Sequence, residues 1–102
     1  MARLIYGEAA LKDLERLAGF LLEIDPVAAA TTAELIVEAV SVLARHPLIG
    51  RPAEEEPLQE LVISRGRTGY VALYSHEPAE DVVIVLSLRH QREAGYGSTG
   101  PP

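Results

Sequence analysis

The spacing of apolar residues changes along the chain and predicts first a strand and then two helices. Residues 2–6, which are mainly apolar, form a short segment typical of a strand. In residues 8–24, polar side chains recur at helical spacing and leucines occupy the other side, which predicts an amphipathic helix with one buried face. Asp25 and Pro26 predict a second helix, because aspartate is a favoured N-cap and proline is tolerated at the first helical position.

The second predicted helix, residues 26–46, is apolar around most of its circumference. Its polar side chains form one narrow stripe, namely Thr31, Glu34, Glu38, Ser41 and Arg45. A helix of this kind needs cover on more than one side, and a chain of 102 residues offers only one sheet and one other helix. We therefore expect a partner to cover part of it. The alternative interpretation is that its many alanines tolerate partial exposure.

The second half of the chain predicts three strands joined by short turns, at residues 61–64, 70–75 and 82–88. Tyr70, Ala72 and Tyr74 alternate onto one face, where the two tyrosines should line the core. Residues 82–88 are almost continuously apolar, so they should be central in the sheet. Leu48 and Ile49, in the loop of residues 46–60, should fill the core beneath it. The predicted fold is α+β, with the order β-α-α-β-β-β and a helical hairpin packed on a small antiparallel sheet.

Composition narrows the class of protein. A length of 102 residues fits one domain, here residues 1–96, followed by a disordered tail at residues 97–102. The chain has no cysteine, which excludes disulfides and thiolate chemistry, and we predict no metal and no other cofactor. Because charged residues lie near the N-terminus, we predict no signal peptide. No apolar run is expected to reach the roughly 20 residues of a membrane helix, so we predict a cytoplasmic protein with no membrane contact.

The net charge of −6 belongs to the first 60 residues, which hold five basic and eleven acidic side chains. Four arginines and four acids balance in residues 61–102. Arginine is suited to bidentate phosphate recognition, and histidine to proton transfer near neutral pH. If the strand ends meet, one site could hold these groups; roles in caps, packing or surface ion pairs are the alternatives. The candidates are Arg65, Arg67, Arg89, His90, Arg92 and Tyr96.

Three segments that follow the helical hairpin resemble the RelE/ParE superfamily of bacterial type II toxins. They are RHPLIGRP (residues 45–52), LQELVISRGRTGYVALYSH (58–76) and VVIVLSLRHQREAGY (82–96). The resemblance extends over residues 3–96 and implies a toxin that a cognate antitoxin wraps and neutralises, with a toxin–antitoxin heterotetramer or a homodimer as possible assemblies. The apolar second helix would then contact the antitoxin, with Leu35, Ile36, Val40 and Leu43 as candidates.

Two branches of this superfamily differ in activity. RelE-like members are metal-independent ribonucleases that cut mRNA on the ribosome. For that activity the resemblance assigns phosphate stabilisation to Arg65 (or Arg67) and Arg92, and proton transfer to His90 and Tyr96. ParE-like members instead inhibit DNA gyrase and trap its cleaved DNA complex. For that activity the target-binding candidates are Arg65, Arg67, Arg89, His90 and Arg92.

The charge pattern favours the ParE-like branch. Lys12 is the only lysine, and Glu54, Glu55, Glu56 and Glu60 precede the second strand, where the nucleases often have basic groups. The run Glu54–Glu56 is itself expected to be a solvated turn. We therefore predict a ParE-like gyrase inhibitor, with a RelE-like ribosome-dependent endoribonuclease as the alternative. A non-toxic homodimer that uses the second helix as its interface is a third possibility.

Overall fold

The structure is a computed structural model, and it describes residues 1–65 and 68–91. Strand β1 (Arg3–Tyr6) leads into helices α1 (Glu8–Ile24) and α2 (Pro26–Ser41), and a 3-10 turn, Val42–Ala44, continues α2. The other strands are β2 (Arg51–Pro52), β3 (Gln59–Arg65), β4 (Thr68–Glu77) and β5 (Val82–His90). The predicted α+β fold is confirmed, with β2 as an additional strand. The predicted tail lies outside the described residues.

The five strands form one sheet in the order β1-β5-β4-β3-β2. The pairs β2–β3, β3–β4 and β4–β5 are antiparallel. Strand β1 instead pairs parallel with β5, with Arg3 opposite Val82. The sheet is therefore mixed, and the prediction of a wholly antiparallel sheet is corrected in this respect. A tight turn forces antiparallel pairing, but β1 and β5 are joined by a long connection that contains both helices and so permits parallel pairing.

The turn between the two helices is as short as the sequence predicts. The Asp25 side chain caps α2 by accepting hydrogen bonds from the backbone N–H groups of Val27, at 3.0 Å, and Ala28, at 3.3 Å. Pro26 occupies the start of the helix, where its missing N–H leaves no bond unmade. The two helices therefore return on each other as a hairpin and lie on one side of the sheet.

The side of the sheet beneath the helices is the core face. Tyr70, Ala72 and Tyr74 of β4 are buried there, as their alternation predicts. They pack in one cluster with Val83 and Val85 of β5 and with buried residues of the helical segment. Strand β5 lies between β1 and β4 and is buried along most of its length. This confirms its predicted central position.

A buried carboxylate ties α1 to the edge of β5. Strand β1 covers β5 only as far as Val85, because the chain turns into α1 after Gly7. Beyond that point the Leu88 N–H and the Ser87 hydroxyl both donate to Oδ2 of Asp13, each at 2.9 Å. Asp13 thus replaces a missing strand as acceptor. The periodicity of α1 did not reveal this role, because an aspartate on a helix is ordinarily assigned to the solvent side.

The loop after α2 is anchored differently from the prediction. Leu48 is 69% exposed and Ile49 57% exposed, so the expectation that they fill the core is wrong. The Tyr74 ring already fills that space, and its hydroxyl accepts a hydrogen bond from the Gly50 N–H at 3.0 Å. A Cβ on Gly50 would lie 2.5 Å from the Glu60 carbonyl oxygen and 2.6 Å from the Tyr74 hydroxyl. Only glycine fits this close approach.

The continuous helical segment Pro26–Ala44 is long and apolar enough, by length and composition, to cross a membrane, with a mean hydropathy of 1.7 over 19 residues. The prediction that no segment has these properties is therefore wrong. Pro26–Ala44 has fewer polar residues than an ordinary surface helix, which raises its mean hydropathy. On its inner side Ile36, Val40 and Leu43 are fully buried in the core. Part of its apolar character therefore serves the fold.

Candidate functional site

Charged residues align across the side of the sheet turned away from the helices. We call this side the outer face, and Arg51, Glu60, Leu73 and Arg89 define it. Strand pairing places Arg51 opposite Glu60 and Glu60 opposite Leu73, so these residues form one row across β2, β3 and β4. Arg89 lies in a neighbouring row, opposite Val71. The register therefore brings together residues that are up to 38 positions apart in sequence.

These residues line a cavity of about 500 Å³, together with Ala53, Glu54 and Glu55. Its volume lies in the range of ligand-binding sites. Leu73 provides an apolar patch in it, while two arginines and three glutamates surround that patch. With every group ionised, the described residues of the lining carry one more negative than positive charge.

The hairpin that joins β2 to β3 forms one wall of the cavity. Its tip is closed by two backbone hydrogen bonds, from Ala53 N–H to the Leu58 carbonyl at 2.9 Å and from Leu58 N–H to the Glu55 carbonyl at 2.8 Å. Glu54 and Glu55 are exposed on this tip, in agreement with the predicted solvated turn. They also face the cavity, which their sequence context did not indicate.

Both arginines of the cavity have partners within the chain. Nε of Arg51 donates to Oε1 of Glu60 at 3.1 Å, and the Glu60 side chain is only 14% exposed. Nη1 of Arg89 donates to the carbonyl oxygens of His90 and Gln91, each at 3.2 Å. The guanidinium of Arg89 is therefore held at the end of its own strand, on the predicted target-binding surface.

His90 lies on the opposite side of the sheet from Arg89. It is paired with Tyr70 of the core face, and the two rings meet edge to face, with centroids 5.3 Å apart and an interplanar angle of 86°. A register shift at Leu73 and Tyr74 sets which side each residue of the β5 end takes. The structure thus separates two of the predicted site residues that sequence adjacency grouped together.

The ends of β3 and β5 do come to the same end of the sheet, as the prediction of one site required. Arg65 ends β3 opposite Thr68, and His90 ends β5 opposite Tyr70. Strand β4 lies between them, because two strands that are each antiparallel to a third run in the same direction. Arg67, Arg92 and Tyr96 fall outside the described residues.

Three of the four antitoxin-binding candidates on the segment of α2 and its 3-10 turn are buried within the chain itself. Ile36, Val40 and Leu43 are fully buried in the core of the chain, and Leu35 packs against that core. A partner of the folded chain cannot reach the three buried side chains. The large apolar residues exposed on this helical segment are instead Val27, at 75%, Val37, at 45%, and Val42, at 40%.

Within residues 1–65 and 68–91, no group of three or more histidine, cysteine, aspartate or glutamate side chains is placed to hold a metal ion.

The chain as a whole is similar to known toxins of bacterial toxin–antitoxin systems. The family model described as "ParE toxin of type II toxin-antitoxin system, parDE" matches residues 4–95. A relative called Toxin RelE3, from Caulobacter vibrioides, is 36% identical over 87 residues, which are 85% of this chain and 91% of that protein. The chain is therefore a type II toxin of the RelE/ParE superfamily. Within that superfamily it belongs to the ParE toxin family.

Two solved structures share the fold. A chain of the chromosomal ParDE system from P. aeruginosa superposes with a TM-score of 0.76 at 22% identity, over 88% of this chain and 96% of that one. A chain of the RelBE2 toxin–antitoxin complex from Mycobacterium tuberculosis gives a TM-score of 0.59 at 26% identity, over 88% and 98%. Both the ParE and the RelE branches are thus represented among the similar structures.

Proposed function

We propose that this toxin is a ParE-like inhibitor of DNA gyrase, acts in the cytoplasm, and is neutralised by a cognate antitoxin. The proposal takes its target from the family that the sequence matches over residues 4–95. Under this proposal the protein inhibits its target by binding to it and uses no cofactor. The outer face, with Arg89, is the surface that we assign to target binding.

The placement of His90, the predicted proton-transfer group of a ribonuclease, is the observation that carries this proposal. Metal-independent RNA cleavage needs a proton-transfer group and a cation at one phosphate, within hydrogen-bonding reach of the reacting atoms. Arg89 lies on the outer face, whereas the His90 ring packs against Tyr70 of the core face. The packing of His90 against the core face therefore supports a role in contact and packing over a role in acid–base catalysis.

The antitoxin is expected on the uncovered side of α2. The similar solved structures come from toxin–antitoxin systems, which supports a partner of this kind. Val27, Val37 and Val42 replace the buried candidates as the residues that we expect it to cover. Whether toxin and antitoxin assemble as a heterotetramer, or the toxin as a homodimer, stays a prediction.

A gyrase supercoiling and DNA-cleavage assay with the purified, antitoxin-free protein tests the target. We expect loss of supercoiling together with accumulation of cleaved DNA. Arg89→Ala should raise the half-inhibitory concentration about ten-fold or more, as loss of an arginine at the centre of an interface typically does. Absence of any gyrase effect from a protein with a cooperative thermal transition would exclude the proposed target.

Lys12→Ala is the matched control for Arg89→Ala. It also removes one positive charge, but Lys12 lies on α1, where it forms an exposed pair with Glu8. Equal inhibition by the wild-type and Lys12→Ala proteins would show that position, and not net charge, determines the effect of Arg89. Equal losses in both variants would contradict the assignment of the outer face.

A RelE-like ribonuclease is the second candidate, because the relative that is 36% identical carries the name RelE3. Its test is cleavage of mRNA by the same protein in the presence of ribosomes. If cleavage occurs and gyrase is unaffected, the residues outside the described ranges, Arg67, Arg92 and Tyr96, become the first to substitute.

A further inference from the structure

We propose that Glu54 and Glu55 determine the class of target by keeping nucleic acid away from the arginines of the outer face. The inference deepens the proposed function and rests on it for the identity of the productive target. Its premise is the cavity of the outer face, where these two carboxylates and Arg89 share one lining. A phosphate that approaches Arg89 through this cavity must therefore come close to both glutamates.

The charges of the cavity do not cancel evenly. Arg51 and Glu60 form a close ion pair, with Nε of Arg51 3.1 Å from Oε1 of Glu60. Glu54 and Glu55 form no ion pair with any residue of the described part of the chain. Among the described residues of the lining, Glu54 and Glu55 therefore add two carboxylates that no ion pair neutralises, and their field opposes the approach of a polyanion to Arg89.

The hairpin tip presents these carboxylates in a defined place. Its two backbone hydrogen bonds, which join Ala53 to Leu58 and Leu58 to Glu55, close the turn on itself. The tip is attached to the sheet by β2, whose Arg51 and Pro52 pair with Glu60 and Gln59. The glutamates thus stay beside the cavity, so their repulsion acts at short range and is only partly screened by salt.

The helices offer a matched comparison. Glu15 and Glu23 are also exposed, but they lie on α1, on the far side of the sheet from the cavity. Neutralising them changes the net charge by the same amount as neutralising Glu54 and Glu55. Only the second change alters the local field at Arg89.

The test is binding of a fluorescein-labelled octa-uridylate to the full chain at 50 mM salt, measured by anisotropy. We expect weak binding to the wild type and about five- to ten-fold tighter binding to Glu54→Gln/Glu55→Gln, because two short-range repulsions are removed. Glu15→Gln/Glu23→Gln should change the affinity less than two-fold. Adding Arg89→Ala to the first pair should abolish the gain, and raising the salt to 200 mM should reduce it.

Two outcomes would overturn the proposal. One is an equal gain for both glutamine pairs, which would make net charge the cause. The other is wild-type binding as tight as that of Glu54→Gln/Glu55→Gln, which would show that nothing is excluded. All four substituted glutamates are exposed, so equal melting temperatures should exclude misfolding as the explanation.

The proposed function can fail independently. If the wild type leaves gyrase unaffected but the RNA results are as expected, the gyrase target is wrong. The role of the two glutamates in excluding nucleic acid is then still supported. If gyrase is inhibited and Glu54→Gln/Glu55→Gln does not change RNA binding, only the exclusion of nucleic acid by these glutamates is wrong.

Discussion

The two faces of the sheet share the same strands but differ in side chains, because one face is apolar and buried and the other is largely charged. On the core face, Tyr70, Ala72 and Tyr74 meet the helices in a buried apolar cluster. On the outer face, the described lining of the cavity has two arginines, Arg51 and Arg89, and three glutamates, Glu54, Glu55 and Glu60. The comparison teaches that one face determines whether the chain folds, while the other determines what the folded chain can bind. Substitutions should therefore separate stability from target recognition.

Removing the buried carboxylate of α1 should have the largest effect on stability. Asp13→Ala leaves the Ser87 hydroxyl and the Leu88 N–H buried without their acceptor, which should lower the free energy of unfolding by about 3 kcal/mol. Urea denaturation followed by circular dichroism measures the change. Glu15→Ala, on the exposed side of the same helix, should stay within about 0.5 kcal/mol. Similar values for both would show that the contact at the sheet edge does not hold the core face in place.

A methyl group at Gly50 should have the next largest effect. Gly50→Ala places a carbon too close to the Glu60 carbonyl and the Tyr74 hydroxyl, and it should cost about 2 kcal/mol. Gly19→Ala is the control, because a Cβ there meets no atom within 4 Å. Alanine is a better helix former than glycine, so this variant should be slightly more stable than the wild type. Urea denaturation of the two variants should thus give shifts of opposite sign.

Loss of the Tyr74 hydroxyl should cost about 1 kcal/mol, because the Gly50 N–H loses its acceptor. Burial raises the pKa of Tyr74 above its ordinary value of 10.0, although the hydrogen bond from Gly50 partly lowers it. The folded chain therefore keeps this proton at a pH where the unfolded chain releases it. Unfolding should become easier as the pH rises above about 10.

The pH dependence gives Tyr74→Phe a second readout. Its free energy of unfolding, measured between pH 8 and pH 11 by thermal melts, should fall less steeply than that of the wild type. Part of the fall should remain, since burial also raises the pKa of Tyr6. Parallel curves for the two proteins would mean that the proton on Tyr74 is not linked to folding.

The smallest effect on stability is expected on the outer face. Arg51→Ala removes an ion pair whose arginine is 60% exposed, and exposed pairs contribute less than about 1 kcal/mol. The melting temperature should therefore change little. A loss as large as that of Asp13→Ala would break the comparison, because the outer face would then carry the fold as well.

The sequence predicts the core face better than the outer face for a physical reason. Alternation in β4 is a local pattern that shows which side of the strand is buried. Helical spacing in α1 shows this only in part, because Leu17 is buried whereas Leu11 and Leu22 are exposed. The cavity depends on register between β2, β3, β4 and β5, which no local pattern determines. Glu54 and Glu55 therefore looked like an ordinary turn, and Arg89 and His90 looked like one site. The side of α2 was misjudged because a helix that is apolar nearly all around gives no indication of which side the core takes.

The register shift between β4 and β5 has an evolutionary consequence. Because Tyr74 is opposite Val85 while Leu73 is opposite Ser87, β5 carries one residue more than its partner at this point. Simple pairing of the same strand, with no residue left over, would place Arg89, in place of His90, opposite Tyr70. The imidazole would then emerge on the outer face and the guanidinium would turn inward. Substitutions that straighten this strand without shortening it are thus enough to exchange the chemistry that a descendant of this toxin offers to its target.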